Sequence, residues 1–246
     1  MRAIFFILAF FLLSGVRNAE ALVGSTDGPG PTSRHTVMVL KKQKAGSSFC
    51  SGVLIAPQVV LTAAHCVHRA AGVAIYVPGD GAPKLIEAST VTMHPGYVPD
   101  AIRTRKRSID LALVRTSGSL PGFLSPVALD SQGRYQDGDA LMIAGFGLQR
   151  EGVENSAGQL RSARIIVREP LSSILLWAKP ARKGIGGACT GDSGGPVFSA
   201  DATRLVAITT WSRGTGKRRC GELTQGVLVA PQRNWIDATL AKWGAR

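Results

Sequence analysis

Acidic residues are scarce in this chain. Asp and Glu number 16 against 29 Lys and Arg in 246 residues, a formal net charge of +13, and such an excess favours acidic partners and anionic surfaces. Cysteines are few: four, none in a Cys-x-x-Cys pair, beside four histidines that do not cluster. That removes the ligand spacing of a zinc site, and neither a metal nor another cofactor is assigned. Long apolar runs are missing as well. The longest, from Ile4 to Leu13, is too short to span a bilayer, so no transmembrane segment is expected. No aromatic residues interleave the basic stretches, which argues against a nucleic-acid module. Helical periodicity is absent until the C-terminus and no repeat is detectable.

The N-terminus carries Arg2, then the apolar run, then Ala19-Glu20-Ala21, the pattern of a secretory signal cleaved after Ala21. Residues 1–21 are therefore read as a signal peptide of a secreted or periplasmic protein. Removing Arg2, Arg17 and Glu20 with it lowers the net charge by one, from +13 to +12. Export permits disulfides, and four cysteines allow three pairings.

Beyond the signal, short runs rich in Val, Ile and Leu alternate with Gly, Pro, Ser and Asp clusters, the pattern of an all-β barrel or sandwich. Ser51–Ile55 and Val59–Thr62 are predicted to form a hairpin turning at Ala56-Pro57-Gln58. Further strands are predicted at Ile109–Arg115, Ala140–Gly145, Ile165–Val167, Pro196–Phe198, Leu205–Trp211 and Gly226–Ala230. Pro231, followed by Trp235, Ile236, Leu240 and Trp243 at three- and four-residue spacings, predicts an amphipathic C-terminal helix. Ser117–Leu129, with Gly118, Pro121, Gly122 and Pro126, is the best candidate linker.

Three segments carry chemistry. Gly191-Asp192-Ser193-Gly194-Gly195-Pro196 holds a serine in a glycine-rich backbone able to aim amides at an oxyanion. Thr62-Ala63-Ala64-His65-Cys66 offers an imidazole, and Ser108-Ile109-Asp110-Leu111-Ala112-Leu113-Val114 offers one carboxylate in an apolar strand. A serine hydroxyl needs an adjacent base to act as a nucleophile, and imidazole titrates near neutrality. Each fragment alone has a bland reading, as a turn, a structural His-Cys pair or a strand-edge Asp. Their joint occurrence, in the order His65, Asp110, Ser193, removes that ambiguity. His35, His68 and His94 lack matching contexts and are read as ordinary polar residues.

On these residues the chain resembles the trypsin/chymotrypsin family of serine endopeptidases from residue 22 onward, and is read as a secreted, bacterial member. The resemblance implies an all-β fold of two six-stranded antiparallel barrels with a C-terminal helix, residues 22–130 forming the first and 131–246 the second, with the cleft between them. It implies that Ser193 attacks the scissile carbonyl, His65 relays the proton, Asp110 holds the imidazole, and the backbone N–H groups of Gly191 and Ser193 receive the oxyanion. It selects the disulfides Cys50–Cys66 and Cys189–Cys220. It also implies that Leu22, freed by cutting after Ala21, inserts its α-ammonium against Asp192; the bland reading of Leu22 is a loose terminus.

For substrate binding the resemblance places Gly187 at the base of the primary pocket, Ser212 and Gly226 at its walls, and Thr210, Trp211 and Ser212 along a strand edge that pairs with substrate backbone. Without a carboxylate at 187, a medium or large apolar residue before the cut is expected, although Glu222 offers an alternative route to a basic preference. The partner is a protein or peptide substrate, of acidic character if the basic clusters at 103–107 and 213–219 steer it; the bland reading of both is solvated loops. A monomer is expected. The rival reading is a catalytically silent relative serving as a basic binding module; an α/β-hydrolase esterase fails on chain order.

Overall fold

The computed structural model describes residues 21–24, 28, 30–44, 46–78, 82–104, 106–183 and 185–245; the predicted signal, apart from Ala21, and Arg105 of the first basic cluster lie outside them. Six antiparallel strands, β1 (Thr36–Gln43), β2 (Gly46–Ala56), β3 (Val59–Thr62), β4 (Gly72–Val77), β5 (Lys84–Met93) and β6 (Ala112–Thr116), close a barrel in the order β1-β2-β3-β6-β5-β4. A second sheet holds β7 (Ala128–Leu129), β8 (Ala140–Gly145), β9 (Arg161–Val167), β10 (Leu175–Pro180), β11 (Pro196–Ser199), β12 (Arg204–Arg213) and β13 (Leu223–Leu228). Pairing of β11 with β12 closes β8–β13 into a second six-stranded barrel, and the two-residue β7 adds to β12 in parallel.

The predicted hairpin forms, with Pro57 and Gln58 as its turn between β2 and β3. Every residue of β3 and of 51–56 in β2 is buried. Both faces are covered because one lines the first barrel and the other meets the second; the apolar cluster runs from Val53, Leu61 and Leu113 through to Phe198, Ile208 and Val229. A separate cluster of Ile143, Ile165, Val197 and Val206 fills the second barrel, and Leu22 is part of it. The chain ends in a 3₁₀ turn at Ala230–Gln232 and a helix at Arg233–Lys242 that buries Ile236 and Leu240. Trp235 on that helix meets His94 edge-on at 4.8 Å. Gly96 N–H donates to His94 Nδ1 and burial lowers the pKa of this imidazole, which packs on the helix rather than on the cleft.

Two predicted strands shift. Ile109–Leu111 are not in β6: Leu111 N–H donates to Ile109 O, closing a three-residue turn around Asp110, the inverse-γ pattern common at strand ends. The strand predicted at Gly226–Ala230 runs instead from Leu223 to Leu228, since the chain must turn into the helix at Ala230. Among the described residues no helix is long and apolar enough to cross a membrane.

Candidate active site

His65 sits in a 3₁₀ turn, Ala64–Cys66, directly after β3. Cys66 is bonded to Cys50 on β2, which fixes that turn to the neighbouring strand. The γ-turn presents Asp110 so that one carboxylate oxygen, Oδ1, accepts His65 N–H at 2.9 Å and the other, Oδ2, meets Nδ1 at 2.6 Å. Asp110 thus grips both backbone and ring. An ionised carboxylate only accepts, so Nδ1 is the donor in this pair and Nε2 is the ring nitrogen left to face the cleft chemistry. Cys50, His65 and Cys66 bring their side-chain atoms within 4.8 Å of one another. Because the two sulfurs are joined and Nδ1 is engaged, the trio is not a thiolate metal centre.

Ser193 lies, half-exposed, in a turn between β10 and β11, and lines the same cleft as His65 and Asp110. The turn is held from the first barrel: Ser51 N–H donates to Ser193 O at 2.8 Å, and Ser51 Oγ donates to Gly191 O at 2.9 Å while accepting Phe146 N–H at 3.0 Å. Gly191 has φ +97, and a Cβ there would lie 2.6 Å from Phe49 Cε2 and 2.8 Å from Gly147 Cα. Both dihedral and space therefore require glycine. Gly194, with φ +80, lets the backbone of Ser51 and the hydroxyl of Thr62 press against the turn where a Cβ would stand. Among the described residues the N–H groups of Gly191 and Ser193 have no acceptor, whereas Asp192, Gly194 and Gly195 donate to Cys189 O, Thr209 O and Asp192 O. No hydrogen bond joins Ser193 Oγ to His65 Nε2, which lies 3.6 Å from Cys66 Sγ.

Asp192 is fully buried. Its carboxylate accepts N–H groups from Gly147 at 2.8 Å and Cys189 at 2.9 Å, and no cation faces it among the described residues. Burial raises its pKa to about 7, against the smaller lowering effect of those two amides. Leu22 and Val23 dock into the second barrel, Leu22 fully buried and Val23 O accepting Gly186 N–H at 2.7 Å. In the uncut chain the Leu22 nitrogen is an amide and carries no charge. Cys189 is bonded to Cys220, which ties the serine turn to the loop preceding β13.

The cleft has a volume of about 1070 Å³. Thr210, Trp211 and Ser212 line it, with Thr210 the extra residue of a bulge where Thr209 pairs with Gly226 and Trp211 with Gln225. Gly187 and Gly226 do not. Gly187 is buried with its α-carbon packed against the backbone of Gly221, and Gly226 sits inside the sheet between Leu176 and Thr209. Opposite Ser212 stands Thr224, buried, its Oγ1 accepting Ala188 N–H at 3.2 Å. Without the bulge Ser212 would face Leu223; the extra residue brings it opposite Thr224 instead. Glu222 is half-buried and outside the cleft lining. Sequence reasoning passed over Phe49, Tyr97, Ile174, Trp177 and Gln225, all in the wall. Trp177 meets Trp211 edge-on at 6.1 Å. The residues come from separate strands and loops, and no local pattern marks them. Ser51 was missed as well; its only signal is adjacency to Cys50.

Comparison with known proteins agrees with this architecture. The chain is 27% identical to trypsin beta of Drosophila erecta over 214 residues, 79% of each protein. It is 28% identical to trypsin-3 of Salmo salar, covering 80% of this chain and 85% of that one. It is 32% identical to coagulation factor XII of Cavia porcellus, where the match spans 78% of this chain but 36% of the longer protein. The solved structure of neuropsin, a serine protease expressed in mouse brain, superposes with a TM-score of 0.66 at 25% identity, covering 82% of this chain and 93% of that one. These relatives are animal proteins and give no support to a bacterial source. Residues 22–236 match the trypsin family, and the chain belongs to that family of serine proteases.

Proposed function

We propose that this protein is an exported serine endopeptidase, built from units 22–130 and 131–246, in which His65, Asp110 and Ser193 form the catalytic group. The observation that carries this reading is the double grip of Asp110 on His65, in one cleft with a serine flanked by two N–H groups that lack acceptors. A substrate strand lies along Thr210–Ser212 with an apolar residue of medium or large size before the cut, in keeping with the aromatic wall of Trp177 and Trp211. As Ser193 Oγ bonds to the carbonyl carbon, its proton passes to Nε2, and the negative charge on the former carbonyl oxygen is taken by the Gly191 and Ser193 amides. The C–N bond then breaks, Nε2 returns the proton to the leaving amine, and water hydrolyses the remaining ester by the same route in reverse. Asp110 keeps the ring in the tautomer this requires and stabilises the imidazolium.

Removal of residues 1–21 is the activating step. It turns the Leu22 amide into an ammonium group beside a docked segment, and that charge pairs with Asp192. The buried, uncompensated carboxyl supports this reading, because a buried carboxylate without a counter-charge is held in its neutral form. Digesting a peptide library with protein that begins at Leu22 tests the function: cleavage after apolar residues is expected, and none by Ser193→Ala. Cleavage that survives in Ser193→Ala would refute the assignment.

A further inference from the structure

The two basic clusters occupy different places. None of Arg213, Lys217, Arg218 and Arg219 lines the cleft, and Arg219 is already paired with Glu151 at 3.4 Å. Arg103, Lys106 and Arg107, by contrast, form part of the cleft wall that also contains His65 and Tyr97. They stand on a built loop. Its base is pinned by Val98 N–H donating to Ser108 Oγ at 2.9 Å and Ile109 N–H donating to Gly96 O at 2.9 Å, and its crown is a turn with Lys106 N–H donating to Ala101 O at 3.0 Å. These bonds tie the described backbone on either side of Lys106 and Arg107 to the cleft wall.

The charges in this wall do not cancel. Two carboxylates line the cleft, Asp100 and Asp110. Asp110 is taken by His65 and Asp100 by Arg103 at 3.4 Å. Lys106 and Arg107 are exposed and have no ion-pair partner among the described residues. Two unpaired cations therefore face a groove whose remaining walls are largely apolar.

Resting on the endopeptidase reading, we infer that Lys106 and Arg107 form a subsite for an acidic side chain: the substrates are peptides that carry Asp or Glu near the scissile bond, beside the apolar residue at the cut. Its carboxylate meets Lys106 and Arg107, while Arg103 stays with Asp100. Arginine contributes a planar fork that suits a carboxylate, and lysine a mobile point charge.

The test uses pairs of quenched fluorescent peptides, identical except for Glu or Gln at the positions flanking the cut, with protein that begins at Leu22. An exposed ion pair contributes about 1.4- to 5-fold, so two predict a Glu-over-Gln ratio in kcat/KM of about 2 to 25 at low salt. At 1 M salt, where the Debye length is about 3 Å, the ratio falls toward one. In the double variant Lys106→Gln, Arg107→Gln it falls to one at any salt, and Lys106→Glu, Arg107→Glu reverses it in favour of a Lys peptide. The ratio is internal to each preparation and does not depend on the fraction of active protein. A low-salt ratio below two, or a ratio that persists in the double variant, overturns the inference. If no peptide is cut, the endopeptidase reading fails separately. The subsite is then judged from fluorescence anisotropy of the labelled Glu and Gln peptides, where equal binding sinks it and tighter, salt-sensitive Glu binding supports it.

Discussion

Replacing Asp192 with Asn probes the link between trimming and the serine turn, with opposite outcomes in the two forms of the chain. In the uncut protein the Asp192 carboxyl has its pKa raised to about 7 by burial, whereas in the unfolded chain it ionises near 4. Between those values the folded state binds the extra proton, so stability falls as pH rises from about 4 to about 7 and is flat above. The full penalty is on the order of 4 kcal/mol, at 1.36 kcal/mol for each pH unit separating the two values. Asparagine removes the charge and hence the penalty, but its amide accepts only at one end. One of the two N–H groups, of Gly147 or Cys189, then loses its acceptor at a cost of about 1–3 kcal/mol.

Asp192→Asn in the uncut protein is therefore expected to be more stable than the parent by about 1–3 kcal/mol at pH 8, and to lose that advantage at pH 4. In protein beginning at Leu22 the sign reverses. The ammonium group loses its partner, and breaking a buried pair costs about 3–5 kcal/mol. Urea unfolding of the four proteins at pH 4 and pH 8, followed by tryptophan fluorescence, reads all of this. The same sign in both forms at pH 8, or a parent whose stability does not fall between pH 4 and pH 7 in the uncut form, would refute the reasoning.

Two substitutions test the serine turn. Gly191→Val places a branched side chain at φ +97 against Phe49 and Gly147, which rotates the amide away, and kcat should fall about 100- to 1000-fold with far-UV circular dichroism unchanged. Ser51→Ala strips the buried hydroxyl that bridges Gly191 O and Phe146 N–H. A loss of about 1–3 kcal/mol in stability is expected, with a fall in kcat and little change in KM; an unaltered kcat would show that the turn holds itself.

The parts of the site visible beforehand are those where chemistry demands fixed residue types at contiguous positions. Gly191–Pro196 and the His65 and Asp110 segments are of that kind, and the hairpin at Pro57-Gln58 and strand β8 were legible from turn residues and short apolar runs. β5 was not: it reads Lys-Leu-Ile-Glu-Ala-Ser-Thr-Val-Thr-Met and leaves Leu85, Val91 and Met93 exposed, so burial imposes no alternation on it. β1, β4 and β10 were passed over as well. Asp110 was expected inside a strand because its neighbours are apolar, yet those neighbours are buried by the turn that aims the carboxylate. The bulge at Thr210 was not legible either, since one extra residue changes every later pairing of β12 while leaving the local sequence pattern intact. Phe49, Tyr97 and Trp177 meet only after the chain has folded.

The central claim is that Ser193 carries an activated hydroxyl once the chain begins at Leu22. Intact-mass and peptide mapping after exposure to an organophosphonate test it directly. A single adduct on Ser193 is predicted, absent in Ser193→Ala and strongly slowed when one residue precedes Leu22. An adduct elsewhere, or none on correctly trimmed and folded protein, would contradict the account.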